Sequence, residues 1–413
     1  MLDINFIKEN QDLVKKGTKD KDYDPSLVDQ LLKVDGTRRD LIGKIETLRA
    51  ERNKLGKDDI EKGKKVKEEL KQIEPDLAKT EENLKELLCQ IPNPPAADVP
   101  IGKDESENVE ERKWGEIKKF DFQPKASFEL GELLDIIDTK RGSKVSGTRF
   151  GYLKNEAALL EFALINFAFE NLLKEGFVPI IPPAMISFDS MKGMGYLENG
   201  GQENMYALDK DKMILVGTAE QSIGPMHKDE TLLEKELPKR YVGFSSCFRR
   251  EAGSYGKDTK GIFRVHQFNK VEMFSFARPE DSDKEHEYLL SLEEKLMQQL
   301  ELPYRVVKMC TGDLGHPAAR KYDIEAWFPS ENRYRETHSV STCTDYQARR
   351  LNIRYRDKDN KIKFIHMLNG TAFSERPILA ILENYQQKDG SVEIPKVLQK
   401  YTGFQKIASK SKG

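Results

Sequence analysis

Between residues 26 and 90 the apolar positions recur at steps of three and four. Leu41, Ile45, Leu48 and Leu55 form one row, and Val66, Leu70, Ile73, Leu77, Leu84 and Leu87 form a second. Such steps make the seam of a coiled coil. The stretch from Gly56 to Gly63 interrupts the pattern, so the two rows predict an antiparallel helical hairpin. Pro25-Ser26 supplies a start with Ser26 as N-cap. Ile91-Pro-Asn-Pro-Pro95 supplies a stop, because proline cannot continue a helix; Pro75 predicts an irregularity in the second helix. A short helical preface precedes the hairpin over residues 1–25, with Ile4, Phe6, Ile7 and Leu13 as its apolar face. Outside the seam the hairpin is mostly charged, which predicts an arm in solvent rather than a buried bundle.

From about residue 105 the pattern becomes mixed. Residues 127–138 and 156–175 read as helices, the second with Leu159, Leu160, Phe162, Ala163 and Phe167 as apolar positions. Residues 176–183 read as a strand that ends at prolines. Further strands are predicted at 213–217, 241–250, 262–276, 304–309, 321–328 and 363–369, and an apolar helix at 378–385. Strands in runs with helices beside them predict an α+β fold, an antiparallel sheet with flanking helices joined to the helical arm. The domains are then 1–104 and 105–413. Neither GxGxxG nor GxxxxGKS occurs, so the common phosphate-cradling loops are absent.

The strand pair 241–250 and 262–276 holds the densest chemistry. A Gly/Ser/Lys-rich turn at 253–261 makes it a hairpin. Strand alternation puts Arg264, Phe268 and Glu272 on one face, and Arg249 with Glu251 on one face. A shared face would offer two guanidinium forks, an aromatic platform and two carboxylates, enough to hold an anionic nucleotide beside a small zwitterion. A solvated charged hairpin is the plainer alternative.

Composition narrows this little. The 413 residues carry a net charge of −2, so any basic footprint is local. One lies at the far end of the arm, in Lys54, Lys57, Lys62, Lys64, Lys65 and Lys67; it reads as a solvated face or as a track for an anionic polymer. The four cysteines, Cys89, Cys247, Cys310 and Cys343, show no metal or disulfide spacing, which suits a reducing cytoplasm and no zinc. No apolar run suggests a membrane segment.

Several stretches, in order, resemble the seryl-tRNA synthetases of class II. The opening Met-Leu-Asp-Ile, the helical hairpin and its proline exit resemble that family's N-terminal arm. Residues 176–183 resemble motif 1, with Pro183 the equivalent of its dimer-interface proline. Residues 247–272 resemble motif 2, Thr218-Ala219-Glu220 the serine-recognition element, and Leu368-Asn-Gly-Thr371 through Glu375-Arg376 to Tyr385 motif 3. The resemblance implies that the chain activates L-serine with ATP and transfers it to tRNA(Ser) and, by family habit, tRNA(Sec), as a cytoplasmic homodimer. It implies serine contacts from Thr218, Ala219, Glu220, Arg249, Glu272 and Thr371. ATP contacts would come from Arg249, Arg250, Glu251, Val265, Phe268, Glu336, Thr337, His338, Ser339 and Arg376. Magnesium would sit on Glu336 and Ser339, and Arg249, Arg264 and Arg376 would stabilise the reacting phosphates. Adenine would stack between Phe268 and Arg376. Three features depart from the family pattern: His338 where a small or apolar residue is usual, Glu375 before the arginine of motif 3, and a shorter arm. Two other readings use the same fold, an amino-acid activator for a carrier protein and a non-catalytic paralogue. The long arm argues against the first, and the intact set of arginines and carboxylates against the second.

Overall fold

The computed structural model describes residues 1–56, 59–198, 200–253, 256 and 258–408. The chain divides into two compact units, Met1–Pro94 and Pro95–Gly413.

The first unit is built on two long helices, α1 (Ser26–Lys54) and α2 (Ile60–Gln90). Ile45, Val66 and Leu70 form the closed centre of their seam, flanked by Leu48, Ile73 and Leu77. Arg49 pairs with Glu74 across the hairpin at 2.9 Å. The start of α1 falls at Ser26, but the cap differs from expectation: the Ser26 amide donates to the Asp24 carboxylate at 2.8 Å. The α2 helix runs through Pro75, which lies on an exposed face where water can reach the carbonyl that proline leaves unbonded. The preface is two short helices, Ile4–Glu9 and Gln11–Asp20. Their buried apolar side chains are Ile7, as predicted, and Val14, whereas Phe6 and Leu13 are 40% and 54% exposed, so the apolar face is turned in part from the predicted one. Lys54, Lys62, Lys64, Lys65 and Lys67 are exposed; Lys57 lies outside the described residues.

The second unit is organised by one eight-stranded sheet. Its strands are β1 (Val109–Trp114), β2 (Val178–Ile180), β3 (Lys239–Phe248), β4 (Gln267–Ala277), β5 (Tyr304–Lys308), β6 (Arg320–Phe328), β7 (Arg333–Thr342) and β8 (His366–Ser374). Their spatial order is β1-β5-β6-β7-β8-β4-β3-β2, antiparallel except for β2, which runs parallel to β3. Helices α3 (Asn155–Lys174), α4 (Ser282–Gln299) and α5 (Arg376–Asn384) pack their apolar residues, among them Leu164, Leu289 and Ile381, into the sheet's main core. Residues 95–104, grouped with the arm on composition, hydrogen-bond within this second unit: Ala96 to Ala319 at 2.8 Å and Thr311 to Pro100 at 2.9 Å.

The sheet order matches an α+β fold, and several boundaries move. The helix expected at 127–138 ends at Leu133, after which Ile137–Asp138 is extended. The strand expected from 262 begins at Gln267, and Arg249 and Arg250 lie beyond the end of β3. Strand β7 and helix α4 were not anticipated, although Leu289, Leu290, Glu293, Leu296 and Met297 have helical spacing and are all buried.

Candidate active site

A cavity of about 510 Å³ opens on the sheet between β3, β4, β7 and β8 and the loops around them. Its walls include Thr218, Glu220, Arg249, Glu251, Arg264, Val265, Phe268, Glu272's neighbour Lys270, Glu336, Thr337, Ser339, Thr371 and Arg376. Chain segments more than 150 residues apart thus meet in one cleft.

The two ends of this cleft differ. At the closed end, Phe268, Lys270 and Glu272 lie at alternate positions of β4. Glu272 is fully buried and pairs with Lys270 at 2.5 Å, while the Lys270 ammonium also donates to the Thr218 hydroxyl at 3.3 Å. Glu220, buried beside them, accepts from the Tyr196 hydroxyl. Burial, and then the neighbouring Glu272, push the Glu220 carboxyl up to about 7. Burial also raises Glu272 above the ordinary carboxylate range, against the pull of Lys270. One ammonium thus serves two buried carboxylates, a setting short of positive charge.

The open end is rich in arginine. Arg264 donates to Glu251 at 2.5 Å. Arg376 pairs with Glu336 at 2.9 Å and lies 4.9 Å from the Phe263 ring. Desolvation works to raise the Glu336 carboxyl, but Arg376 and then Lys321 outweigh it and lower it to about 2. Between the ends, Arg249 donates from Nε to the Gly217 carbonyl at 3.0 Å and sits over Phe268 with its guanidinium 5.1 Å from the ring centre.

Two β-bulges set which side chains enter the cleft. On β7 the pairing with β6 jumps from His338 to Glu336, leaving Thr337 as the extra residue. On β8 the pairing with β4 jumps from Phe373 to Thr371, leaving Ala372 extra. In a regular strand Glu336 and Ser339, three apart, would face opposite sides. The bulge restores their common face, and both line the cleft.

Four expected contacts do not line the cleft, and the first, Glu272, is fully buried and paired with Lys270, which does line it. The His338 side chain is buried off the cleft, with Nε2 3.0 Å from the Ala372 carbonyl and Nδ1 2.9 Å from the Thr337 hydroxyl. Burial lowers its pKa to about 3. Arg250 lines a neighbouring cavity with Arg149, Glu203 and His266, because Glu251 adopts φ +53° and turns the chain out of strand geometry. Ala219 packs with Ile223 and Phe274 in an apolar cluster rather than lining the cleft. Conversely, Tyr196, Asn204, Lys270, Phe263 and Lys321 line the cleft without having been anticipated. Strand parity alone would have found Lys270, between Phe268 and Glu272; the others arrive from loops or other strands and leave no local signal. The turn residues Ser254, Tyr255 and Lys257 lie outside the described residues. Among the described residues, no three His, Cys, Asp or Glu side chains group as metal ligands, and no helix is long and apolar enough to cross a membrane.

Comparison with known proteins gives one consistent result. Residues 1–95 match the seryl-tRNA synthetase N-terminal domain, and residues 205–385 match the class II tRNA synthetase core domain (G, H, P, S and T). The serine--tRNA ligase of Dictyoglomus thermophilum is 49% identical, over 99% of this chain and 100% of the relative. The crystal structure of seryl-tRNA synthetase from Pyrococcus horikoshii complexed with ATP superimposes with a TM-score of 0.95 at 42% identity, covering all of both chains. The cytoplasmic serine-tRNA ligase of Naegleria fowleri in complex with AMP gives 0.91 at 33% identity, covering 100% of this chain and 99% of that one. With both units matched in order and identity sustained from end to end, this chain belongs to the seryl-tRNA synthetase family of class II.

Proposed function

We propose that the chain activates L-serine with ATP and transfers the seryl group to the 3′ end of tRNA(Ser), with tRNA(Sec) accepted on the same terms. The observation that carries this reading is the closed end of the cleft. Buried Glu220 and Glu272 with Thr218 and Lys270 suit a small molecule bearing one ammonium and one hydroxyl, beside arginines suited to phosphates.

In the first step a serine carboxylate oxygen attacks the α-phosphorus of ATP, the bond to the β,γ unit breaks, and pyrophosphate leaves. No proton need be removed, so rate comes from positioning and charge stabilisation. Arg249, between the two ends, holds the carboxylate and α-phosphate together; a guanidinium suits that task because its fork bonds two oxygens. Arg264 takes the terminal phosphates, and Phe268 with Arg376 stacks adenine while Glu251 and the chain about Val265 receive its edge. Glu272 accepts from the serine hydroxyl, Glu220 meets the ammonium, and Thr218 and Thr371 complete the pocket. In the second step a terminal ribose hydroxyl of tRNA attacks the acyl carbon and AMP leaves.

Magnesium is part of this reading and zinc is not. Glu336, held ionised, and Ser339 share one face of β7 and offer the hard oxygens magnesium prefers; Thr337 extends that wall. When bound there the ion neutralises phosphate charge.

We further propose a homodimer formed near Pro183 in the cytoplasm. Strand β2 is an edge of the sheet, and Val178 and Ile181 beside it are exposed at 49% and 83%. Leu159 and Phe162 on α3 are exposed at 51% and 61%, and a second copy would cover such apolar surface. The exposed arm lysines suit phosphate contacts to tRNA.

The deciding experiment is amino-acid-dependent ATP–pyrophosphate exchange with serine, threonine, alanine and glycine. Serine alone should support exchange, and Arg249→Ala should reduce it by roughly 10³-fold. Exchange with none of the four would overturn the reading; exchange with alanine or glycine would move the chain to the carrier-type activators. Replacing Lys62, Lys64, Lys65 and Lys67 together by Ala should leave exchange intact and weaken tRNA charging, with a shallower salt dependence.

A further inference from the structure

The two bulges that phase the cleft are joined by one buried side chain. Thr337 is the extra residue of β7 and Ala372 the extra residue of β8, and the His338 imidazole bonds to both: Nε2 to the Ala372 carbonyl at 3.0 Å, Nδ1 to the Thr337 hydroxyl at 2.9 Å. The ring is 1% exposed, on the side of the sheet away from the cleft, and meets the Phe373 ring edge-on at 5.6 Å.

These contacts fix the ring chemically. A carbonyl can only accept, so Nε2 must carry a proton. In a neutral ring Nδ1 is then an acceptor, and it faces the Thr337 hydroxyl, whose single proton is shared with the Ile324 carbonyl to which it donates at 3.1 Å. A bulge leaves backbone groups out of the regular ladder, and a buried carbonyl without a partner is costly. His338 provides that partner for the β8 bulge and reaches the β7 bulge with its other nitrogen. The β7 bulge puts Glu336 and Ser339 on one face, and the β8 bulge lies next to Thr371, opposite Glu272.

We propose that His338 is a positioning residue for the activation step: by bridging the two bulges it keeps the phosphate-facing side chains of β7 in phase with the serine-facing ones of β8 and β4. It touches neither substrate and acts through Thr337 and Ala372. The proposal deepens the assignment of the cleft to serine activation and rests on it.

The test compares His338→Gln with His338→Leu. Both fill the space, but only the glutamine amide can donate to the Ala372 carbonyl. In serine-dependent exchange below the melting temperature, H338L should lose on the order of 10²-fold in kcat, the size of effect that a misplacement of about 1 Å produces. H338Q should stay within about fivefold of the unaltered chain, the scale of one weakened hydrogen bond. Equal kcat in the two folded variants would overturn the proposal while leaving the function reading intact. Absence of exchange in the unaltered chain would remove both. Should H338L not fold, long-range proton–nitrogen spectra of the histidine-labelled protein decide: an Nε2-protonated His338 supports the bridge, and an Nδ1-protonated one overturns it.

Discussion

At the closed end of the cleft, two carboxylates, one ammonium and two hydroxyls are buried with few partners to spare. At the open end, Arg264 and Arg376 each already have a carboxylate, and Arg376 also lies over the Phe263 ring. Buried polar groups lose heavily when a ligand fails to match them, because desolvation cannot be recovered from water. Ion pairs that keep some exposure lose less, since solvent and neighbouring charges partly substitute. On the proposed function the closed end therefore discriminates, and the open end holds the polyanionic nucleotide. Placing both demands in one cleft separates specificity from affinity by burial alone.

That division is open to direct attack. Glu272→Ala should have the largest effect: kcat/KM for serine in exchange should fall on the order of 10²–10³-fold, with KM for ATP within about twofold of its original value. A comparable rise in the ATP KM would show that the two ends are not separable. Next in size is acidity. Glu220 is raised from an ordinary 4.5 to about 7, so it becomes neutral as pH falls through 7 and cannot then pair with an ammonium. KM for serine should rise below pH 7, by at most about tenfold per pH unit, and Glu220→Gln should flatten that slope while weakening binding throughout. The ATP KM should not follow, because Glu336, held near 2, stays ionised. Smallest is Phe268→Leu, which removes the stacking face but keeps bulk. It should raise the ATP KM by roughly five- to tenfold, about 1 kcal/mol of aromatic contact, and leave the serine KM nearly unchanged.

Local periodicity carried the arm. Its seam residues are spaced by the helix itself, so Ile45, Val66 and Leu70 could be placed without knowing the partner helix. The same rule applied to residues 282–299 would have revealed α4. Strand parity puts Phe268, Lys270 and Glu272 on one side of β4, which is unbroken on the side of β3, and of these Phe268 and Lys270 line the cleft. It failed for Arg249, Glu251 and Arg264, which lie outside regular strands, although all three still reach the cleft. It could not have placed Glu336 with Ser339, whose common face depends on an extra residue visible only in the pairing of β7 with β6. His338 shows the same limit: family resemblance put it at the nucleotide, and an offset of one position turns it to the opposite side. Tyr196 and Asn204 come from loops whose path only tertiary packing decides.

The bulges at Thr337 and Ala372 also make the catalytic strands sensitive to length more than to composition. A substitution at either position changes one side chain. A single-residue deletion there would only remove the extra residue and leave Glu336 and Ser339 two apart on one face of an even ladder. A deletion elsewhere in the strand would turn every residue on one side of the gap to the other surface. Recombination or library design on this scaffold can therefore vary those residues of β7 and β8 that neither line the cleft nor join the bulges, but must keep the residue count fixed outside the two bulge positions.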